Sequence, residues 1–180
     1  MATGYWDARA EAKTIATEPR WIWHRRQHRD VGRADNFLKG RWEERNWLNV
    51  PGPFYGAETD TCVAGIPAAS GHVLCDEDGM EFVWRQPRDL DEVRAILDAA
   101  YQDPFDGYGW DGDEHWTPDL VLDWWDDRGR IEEWLAEANF NDLGSAGALA
   151  SRAAAGYREY IAKDLRDDLL RYAEWLAARR

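Results

Sequence analysis

Residues 72–102 have the sequence HVLCDEDGMEFVWRQPRDLDEVRAILDAAYQ, and this stretch decides the fold class. Two short apolar runs flank an acidic turn that ends in Asp78-Gly79, a pattern that predicts a β-hairpin over 72–86. Because a lone hairpin is only marginally stable in water, we expect a further strand to join it, drawn from residues 58–66.

The second half of this stretch predicts a helix over 89–102. Asp89 is a suitable N-cap, Glu92 follows it by three residues, and apolar residues then recur at helical spacing. Residues 21–30 fit a short helix and a strand nearly equally well. Similar helical patterns occur over 4–17, from Thr117-Pro118 onward, and from 145 to 179.

The predicted fold is therefore α+β and mainly helical, with a small antiparallel sheet and a long C-terminal helix. Twelve tryptophans in 180 residues exclude a disordered chain, which would be poor in aromatic residues. The length predicts a single domain over 1–180. Its expected parts are a basic helical segment over 1–45, an α+β core over 46–140 and the C-terminal helix over 145–179.

The formal net charge of -13 argues against direct binding to nucleic acid, because phosphates would repel the chain. Ten carboxylates and no Lys or Arg lie between Asp98 and Asp127. Either the basic and acidic parts neutralise each other across an internal interface, or the acidic part binds a basic protein partner. The basic residues are concentrated near the N-terminus, at Arg20, Arg25, Arg26, Arg29 and Arg33.

The expected location is the cytoplasm, without contact with a membrane. No apolar run is long enough to span a bilayer, and the first residues lack the apolar stretch of a signal peptide.

Two loops rich in glycine, acidic and aromatic residues, over 46–71 and 103–116, are the expected functional region. Pro and Gly punctuate 46–71 so densely that we expect no helix there. Loops of this length within a compact domain are usually functional, so we expect the two to approach each other and form the main concave surface. The candidate partner- or ligand-binding residues are Trp47, Tyr55, Glu58, Asp60, Tyr108, Trp110, Asp111, Asp113, Glu114, His115 and Trp116.

Two kinds of chemistry could use these loops. Asp111, Asp113 and His115 form a mixed oxygen and nitrogen set that suits a divalent metal, although the frame of an EF-hand is absent. Alternatively, these residues cap turns in a solvated acidic loop. If Glu58 or Asp60 faced Asp111 or Asp113 across a cleft, the pair could perform acid–base catalysis on a sugar. Because acidic residues are common in this chain, chance placement competes with that hypothesis.

The cysteines and histidines point to structural roles. Cys62 and Cys75 cannot supply the four ligands of a simple iron–sulfur cluster. We expect them to be free, small, buried thiols, and the alternative is a redox pair. We expect His72 and His115 to be structural imidazoles. His24 and His28, separated by two arginines, are expected to be surface or packing residues. No motif of a catalytic nucleophile, of ATP binding or of NAD binding is present. We expect no cofactor and no iron–sulfur cluster, and a divalent metal is the alternative.

Three blocks of the sequence are similar to stretches of uncharacterised Trp-rich actinobacterial proteins, some of which carry the label ferredoxin. The blocks are NWLNVPGPFYGAETDTC (46–62), EFVWRQPRDLDEVRAIL (81–97) and DGDEHWTPDLVLDWW (111–125). The resemblance covers at most the middle half of the chain and implies no activity. The label conflicts with the chemistry, because two cysteines cannot hold a cluster.

These patterns predict a small acidic protein-binding protein, of the kind that immunity proteins represent, which neutralises a basic toxin or enzyme. The acidic stretches suit a basic partner, and tryptophan is enriched at binding hot spots. The alternative is an enzyme or a small-ligand domain, for a sugar or a metal, that uses loops 46–71 and 103–116.

Overall fold

The computed structural model describes residues 4–15 and 36–179. Within these ranges the chain forms eight α-helices and four short strands around one hydrophobic core. The expectations for 21–30, for His24 and His28 and for the basic cluster at Arg20–Arg33 lie outside the described residues. The helices are α1 (Ala8–Ile15), α2 (Gly65–Ala69), α3 (Leu90–Gln102), α4 (Gly112–His115), α5 (Pro118–Asp126), α6 (Gly129–Glu137), α7 (Gly147–Ala162) and α8 (Leu165–Ala178). The strands are β1 (Tyr55–Gly56), β2 (Val73–Cys75), β3 (Glu81–Val83) and β4 (Tyr108–Gly109).

The predicted hairpin is confirmed, with β2 and β3 paired in antiparallel register. Asp76 closes the turn, since its Oδ1 accepts hydrogen bonds from Asp78 N at 3.0 Å and Met80 N at 2.9 Å. Gly79 has a φ of +83°, a backbone conformation that favours glycine.

The prediction that a strand from 58–66 joins this hairpin is wrong. Strand β1 pairs with β4 in a separate two-stranded sheet. The outer edge of β3 is satisfied by other groups: Glu81 N donates to Thr59 Oγ1 at 2.7 Å, and Val83 N donates to Asn49 Oδ1 at 2.8 Å. Val50 N donates to Val83 O at 2.9 Å. These bonds pair the backbone groups at the free edge of β3, so the hairpin is stable without a third strand.

Buried Asn49 also connects the hairpin to β1. Its Oδ1 accepts a hydrogen bond from Gly56 N at 2.9 Å, and its Nδ2 donates to Gly56 O at 2.8 Å. The two small sheets are therefore joined through one side-chain amide.

Helix α3 begins as predicted, since Asp89 Oδ1 accepts a hydrogen bond from Glu92 N at 2.9 Å. Glu92 in turn accepts a bond from Arg88 N at 2.8 Å, which pairs one more backbone donor at the helix start. The apolar stripe of α3 is buried in the core, at Val93, Ile96, Leu97 and Ala100.

The expectation of no helix in 46–71 is wrong at its end, where residues 65–69 form α2. Ile66 and Ala69 are buried, and α2 packs against α3. Pro67 is tolerated because it lies in the first turn, where a backbone N–H has no partner within the helix.

The C-terminal region is helical as predicted, and the structure divides it into α7 and α8. The break falls at Lys163 and Asp164, where the N–H groups of both residues bond back to Tyr160 O. Helix α8 packs against α5, and Gly156 of α7 lies against the ring of Trp84 from the hairpin. No helix among residues 4–15 and 36–179 is both long enough and apolar enough to cross a membrane.

Candidate functional site

The two predicted loops approach each other, as expected. Tyr55 of β1 pairs with Gly109 of β4, and Ala57 N donates to Gly107 O at 2.9 Å. The contact is too close for a larger residue, because a Cβ atom on Gly107 would lie 2.2 Å from Glu58 O. The loops therefore pack against each other as a closed junction.

At this junction Tyr55, Asp111 and His115 form a chain of polar contacts. The buried Tyr55 hydroxyl donates to Asp111 Oδ1 at 2.6 Å and also lies 2.9 Å from Gly40 O. Burial and the neighbouring Asp111 carboxylate raise the pKa of Tyr55. The other carboxylate oxygen of Asp111 lies 3.2 Å from His115 Nε2. The His115 ring stacks on Trp42 with a centroid distance of 4.8 Å, which agrees with the structural role expected for this imidazole.

Three buried carboxyl groups lie beneath the junction, on Asp60, Glu81 and Asp103. Glu81 accepts hydrogen bonds from Gly65 N at 2.7 Å and from the Tyr108 hydroxyl at 2.6 Å. Burial raises the pKa of Glu81 to about 7, and the charges of Asp60 and Asp103 act in the same direction.

Asp103 fastens the second loop to the first. Its carboxylate accepts hydrogen bonds from three backbone donors, Asp60 N at 3.0 Å, Phe105 N at 3.1 Å and Gly107 N at 2.6 Å. Burial raises the pKa of Asp103 despite these bonds. The group holds loops in place, because the described contacts of Asp103 are with backbone donors of the chain itself.

Asp113 is turned away from Asp111 and His115. Its Oδ1 accepts a hydrogen bond from the Tyr172 hydroxyl of α8 at 2.7 Å, and Arg179 Nη1 lies 3.8 Å from Oδ2. Burial raises the pKa of Asp113 to about 6. In the part of the chain that the structure describes, no three His, Cys, Asp or Glu side chains are grouped to hold a metal ion. The candidate metal set of Asp111, Asp113 and His115 is therefore not assembled, because α4 directs Asp113 into the core.

The candidate catalytic pair is not assembled either. Asp60 lies beside Asp103 and Glu81, and Glu58 is exposed. Asp111 and Asp113 bind Tyr55 and Tyr172 instead of facing either of them.

The predicted binding residues divide by exposure. Five of them are buried and connect the loops with the core: Tyr55, Asp60, Tyr108, Asp113 and Trp116. Three are half-buried, namely Trp110, Asp111 and His115, and three are exposed, namely Trp47, Glu58 and Glu114. Exposed Glu114 is paired with Arg9 at 2.7 Å. The buried set contributes to stability and is not accessible to a partner in this conformation.

Both predicted loops contribute to concave surfaces of the described residues. A cavity of about 280 Å³ lies between residues 4–6, Val50 and Pro51 of the first loop, the segment after β3 and helices α7 and α8. Its polar wall is Asp168, which binds Arg88, Arg171 and the Tyr160 hydroxyl. A smaller cleft of about 160 Å³ has Trp47 and Trp116 in its walls, both from the predicted loops.

The two cysteines are free thiols, as expected. Cys75 is buried, and burial raises the pKa of its thiol to about 12. Cys62 is exposed, contrary to the expectation that both are buried. His72 is buried, and its Nδ1 lies 2.9 Å from Arg85 O, which agrees with a structural role.

Helix α5 presents the surface that the sequence patterns did not single out. Thr117 caps the helix as predicted, accepting a hydrogen bond from Leu120 N at 3.2 Å. Val121 and Trp124 face the core. Leu120 and Leu122 are 45% and 41% exposed. The surrounding carboxylates, Asp119, Asp123 and Asp126, are exposed and have no ion-pair partner among the described residues. Asp119, Leu122, Asp123 and Asp126 lie on one side of the helix, and we call these four exposed residues the α5 face. Leu120, two residues from Leu122, lies on the other flank of α5.

The sequence patterns that could have predicted Glu81 and the α5 face were weak. Glu81 is a charged residue at an inward-facing position of β3. The alternation of polar and apolar residues does not show that this face of the strand is buried. The α5 face was detectable as Asp119, Leu122, Asp123 and Asp126 at helical spacing, since these positions share one side of a helix.

In comparisons with known proteins, no family model, curated protein or solved structure matches the chain. The resemblance to Trp-rich actinobacterial proteins therefore stays a prediction.

Proposed function

We propose that this protein binds a basic protein partner through the α5 face and acts as an inhibitor or immunity protein in the cytoplasm. The observation that carries the proposal is that exposed Leu122 lies among three carboxylates on one side of α5, Asp119, Asp123 and Asp126, which have no ion-pair partner among the described residues. Other large exposed apolar residues in the described ranges, such as Leu90, Phe105 and Leu170, lie on separate elements.

The energetic argument combines two terms. Exposed Leu122, which lies among the carboxylates, supplies apolar area that an interface can bury, at about 25 cal/mol per Å². The carboxylates steer a positively charged partner and raise the association rate. The net charge of -13 extends the same attraction over the whole molecule at low salt.

The alternative of an enzyme or a sugar- or metal-binding domain in the two loops has less support. The carboxylates it would require bind Tyr55, Tyr172 and backbone donors. A reacting group needs to reach substrate, and these groups are engaged within the chain.

The proposal is tested with a tagged protein in an actinobacterial lysate, at low and high salt. The test variant combines Leu122→Ala, Asp123→Asn and Asp126→Asn. The matched control combines Leu170→Ala, Asp167→Asn and Glu174→Gln, which makes the same kinds of change on the exposed side of α8. Both variants remove one leucine side chain and two negative charges.

We expect a basic protein to be retained by the wild type and by the control at low salt and released at high salt. With the purified partner, the test variant should bind at least about tenfold more weakly, which corresponds to ~1.4 kcal/mol. Equal retention by the test variant would contradict the role of the α5 face. Absence of a basic, salt-sensitive partner for the wild type would contradict the proposed function itself.

A further inference from the structure

The cleft of about 160 Å³ lies where the 45–49 segment meets the first turn of α6. Three tryptophans from three parts of the chain line it, Trp47, Trp116 and Trp124. Two arginines, Arg45 and Arg130, and two asparagines complete the lining. The lining of the cleft therefore combines three aromatic side chains with two guanidinium groups.

Only one of the two guanidinium groups is neutralised. Arg130 Nε lies 3.0 Å from Asp127 Oδ2, and its guanidinium lies 5.3 Å from the centre of the Trp47 ring. Arg45 has no carboxylate within ion-pair distance among the described residues. Its Nη1 donates to Trp42 O at 3.1 Å, and its guanidinium lies 3.9 Å from the centre of the Trp42 ring.

An excess positive charge at this place is unusual, because the chain carries a net charge of -13. Burial and the neighbouring Arg130 lower the pKa of Arg45, so the surroundings disfavour its charge. Tyr55 and Glu43 act in the opposite direction on the pKa of Arg45, and Glu43 forms no ion pair with it among the described residues. Glu43 is exposed, and Asp76 accepts a hydrogen bond from Asn46 Nδ2 at 2.6 Å. An anion bound between the guanidiniums would supply the missing opposite charge.

We propose that this cleft binds a small ligand in which an oxyanion, a phosphate or carboxylate group, is attached to a flat aromatic body. Arg45 and Arg130 hold the oxyanion, since the guanidinium fork matches the geometry of such groups. The tryptophans pack against the aromatic body. The volume lies below the ~300 Å³ at which sites for drug-sized ligands begin, which restricts the enclosed part of the ligand to about one ring and its anionic group.

Phenyl phosphate is the probe, followed by the indole N–H signals in NMR spectra and by tryptophan fluorescence. We expect saturable binding in the millimolar range or tighter, weaker binding of inorganic phosphate and no detectable binding of phenol. Arg45→Gln and Arg130→Gln should each weaken phenyl phosphate binding by roughly tenfold. The matched control is Arg128→Gln, because Arg128 stacks on Trp125 at 4.1 Å outside the cleft.

Arg45→Lys is the second variant if Arg45→Gln fails to fold. Lysine keeps the positive charge but lacks the forked guanidinium. We therefore expect Arg45→Lys to weaken phenyl phosphate binding less than Arg130→Gln does. Circular dichroism and thermal melting establish that each variant is folded.

Three results would overturn the proposal. The first is no saturable binding of phenyl phosphate up to ~10 mM. The second is an equal loss of affinity in Arg128→Gln, which would place the anion elsewhere. The third is phenol or inorganic phosphate binding as tightly as phenyl phosphate, which would remove the need for the arginines or for the tryptophans. The α5 face takes no part in this test, so its outcome is independent of partner binding.

Discussion

Glu81 is a carboxyl group that is 1% exposed, at the start of β3. Its two oxygens receive a backbone N–H and a tyrosine hydroxyl, so the group is fully hydrogen-bonded. Those bonds favour the ionised form, while burial and two neighbouring acids oppose it more strongly. The pKa of about 7 in the folded protein lies above the 4.5 of the unfolded chain.

This difference makes stability depend on pH. The folded protein binds more protons than the unfolded chain between those two pKa values, so the free energy of unfolding falls as the pH rises through that range. Between pH 5 and pH 8 the free energy of unfolding should fall less in Glu81→Gln than in the wild type, by an amount on the order of 2–3 kcal/mol. Urea unfolding at several pH values measures the difference.

Glu77→Gln is the control, because Glu77 lies in the same hairpin turn and is exposed. It bonds Trp134 Nε1 at 2.8 Å, a contact that lowers rather than raises its pKa. The pH dependence should persist in this control. A pH dependence unchanged in Glu81→Gln would show that Glu81 ionises normally in the folded protein.

Strands β1 and β4 are too short to be stable alone, and their contacts with the rest of the fold hold them in place. Strand β1 has two residues, yet it is paired with β4, bound by Asn49 and pressed against β3. A Cβ atom on Gly56 would lie 1.9 Å from Glu81 O, a backbone atom that cannot move without opening the hairpin. Glycine is required here by the close approach of two backbones.

Gly56→Ala should therefore destabilise the protein by more than about 3 kcal/mol, because the new methyl group overlaps with backbone. Gly129→Ala is the contrasting change. A Cβ atom on Gly129 meets nothing within 4 Å, and alanine favours helices, so stability should stay unchanged or rise by up to about 1 kcal/mol. Thermal melting of both variants measures the contrast, and similar effects at the two glycines would contradict the packing of β1 against β3.

At the scale of elements, helix caps and the hairpin turn were predictable from local chemistry. Asp89 and Thr117 bond N–H groups three residues ahead, and Asp76 bonds within its own turn. The pairing of β1 with β4 was not predictable, because its partners are more than 50 residues apart and each strand is too short for a periodic pattern. The division of the C-terminal helix was hidden for a similar reason, since no Pro or Gly marks Lys163 and Asp164.

The whole molecule carries 35 acidic and 22 basic side chains, and acidic residues dominate the described surface around α5. Many of the ion pairs are local pairs on one helix or turn, such as Arg130 with Asp127. Such exposed pairs contribute little, so the mutual repulsion of the excess carboxylates should decide the response to salt.

Raising NaCl from about 0.01 M to about 0.1 M should increase the melting temperature by a few degrees. The Debye length shortens from about 30 Å to about 10 Å, and the repulsion is screened. A gain of about 1 kcal/mol corresponds to ~2–4 °C in a chain of this size. In the double variant Asp123→Asn, Asp126→Asn, salt should raise the melting temperature less than in the wild type, since two repelling charges are absent. A melting temperature that falls with salt would show that ion pairs outweigh the repulsion.

The amino-acid sequence by itself determined the features that depend on neighbours along the chain: the hairpin turn, the helix caps, the mainly helical α+β class and the excess of negative charge. Tertiary structure alone decided which acidic and aromatic residues are buried. Asp113 and Tyr108 face the core because α8 and β3 lie against them, while Leu120 and Leu122 remain outside because no described element covers them. The cleft between Arg45 and Arg130 likewise exists only in the folded chain. The physical reason is that burial is a property of contacts between distant segments, and local spacing carries no record of them.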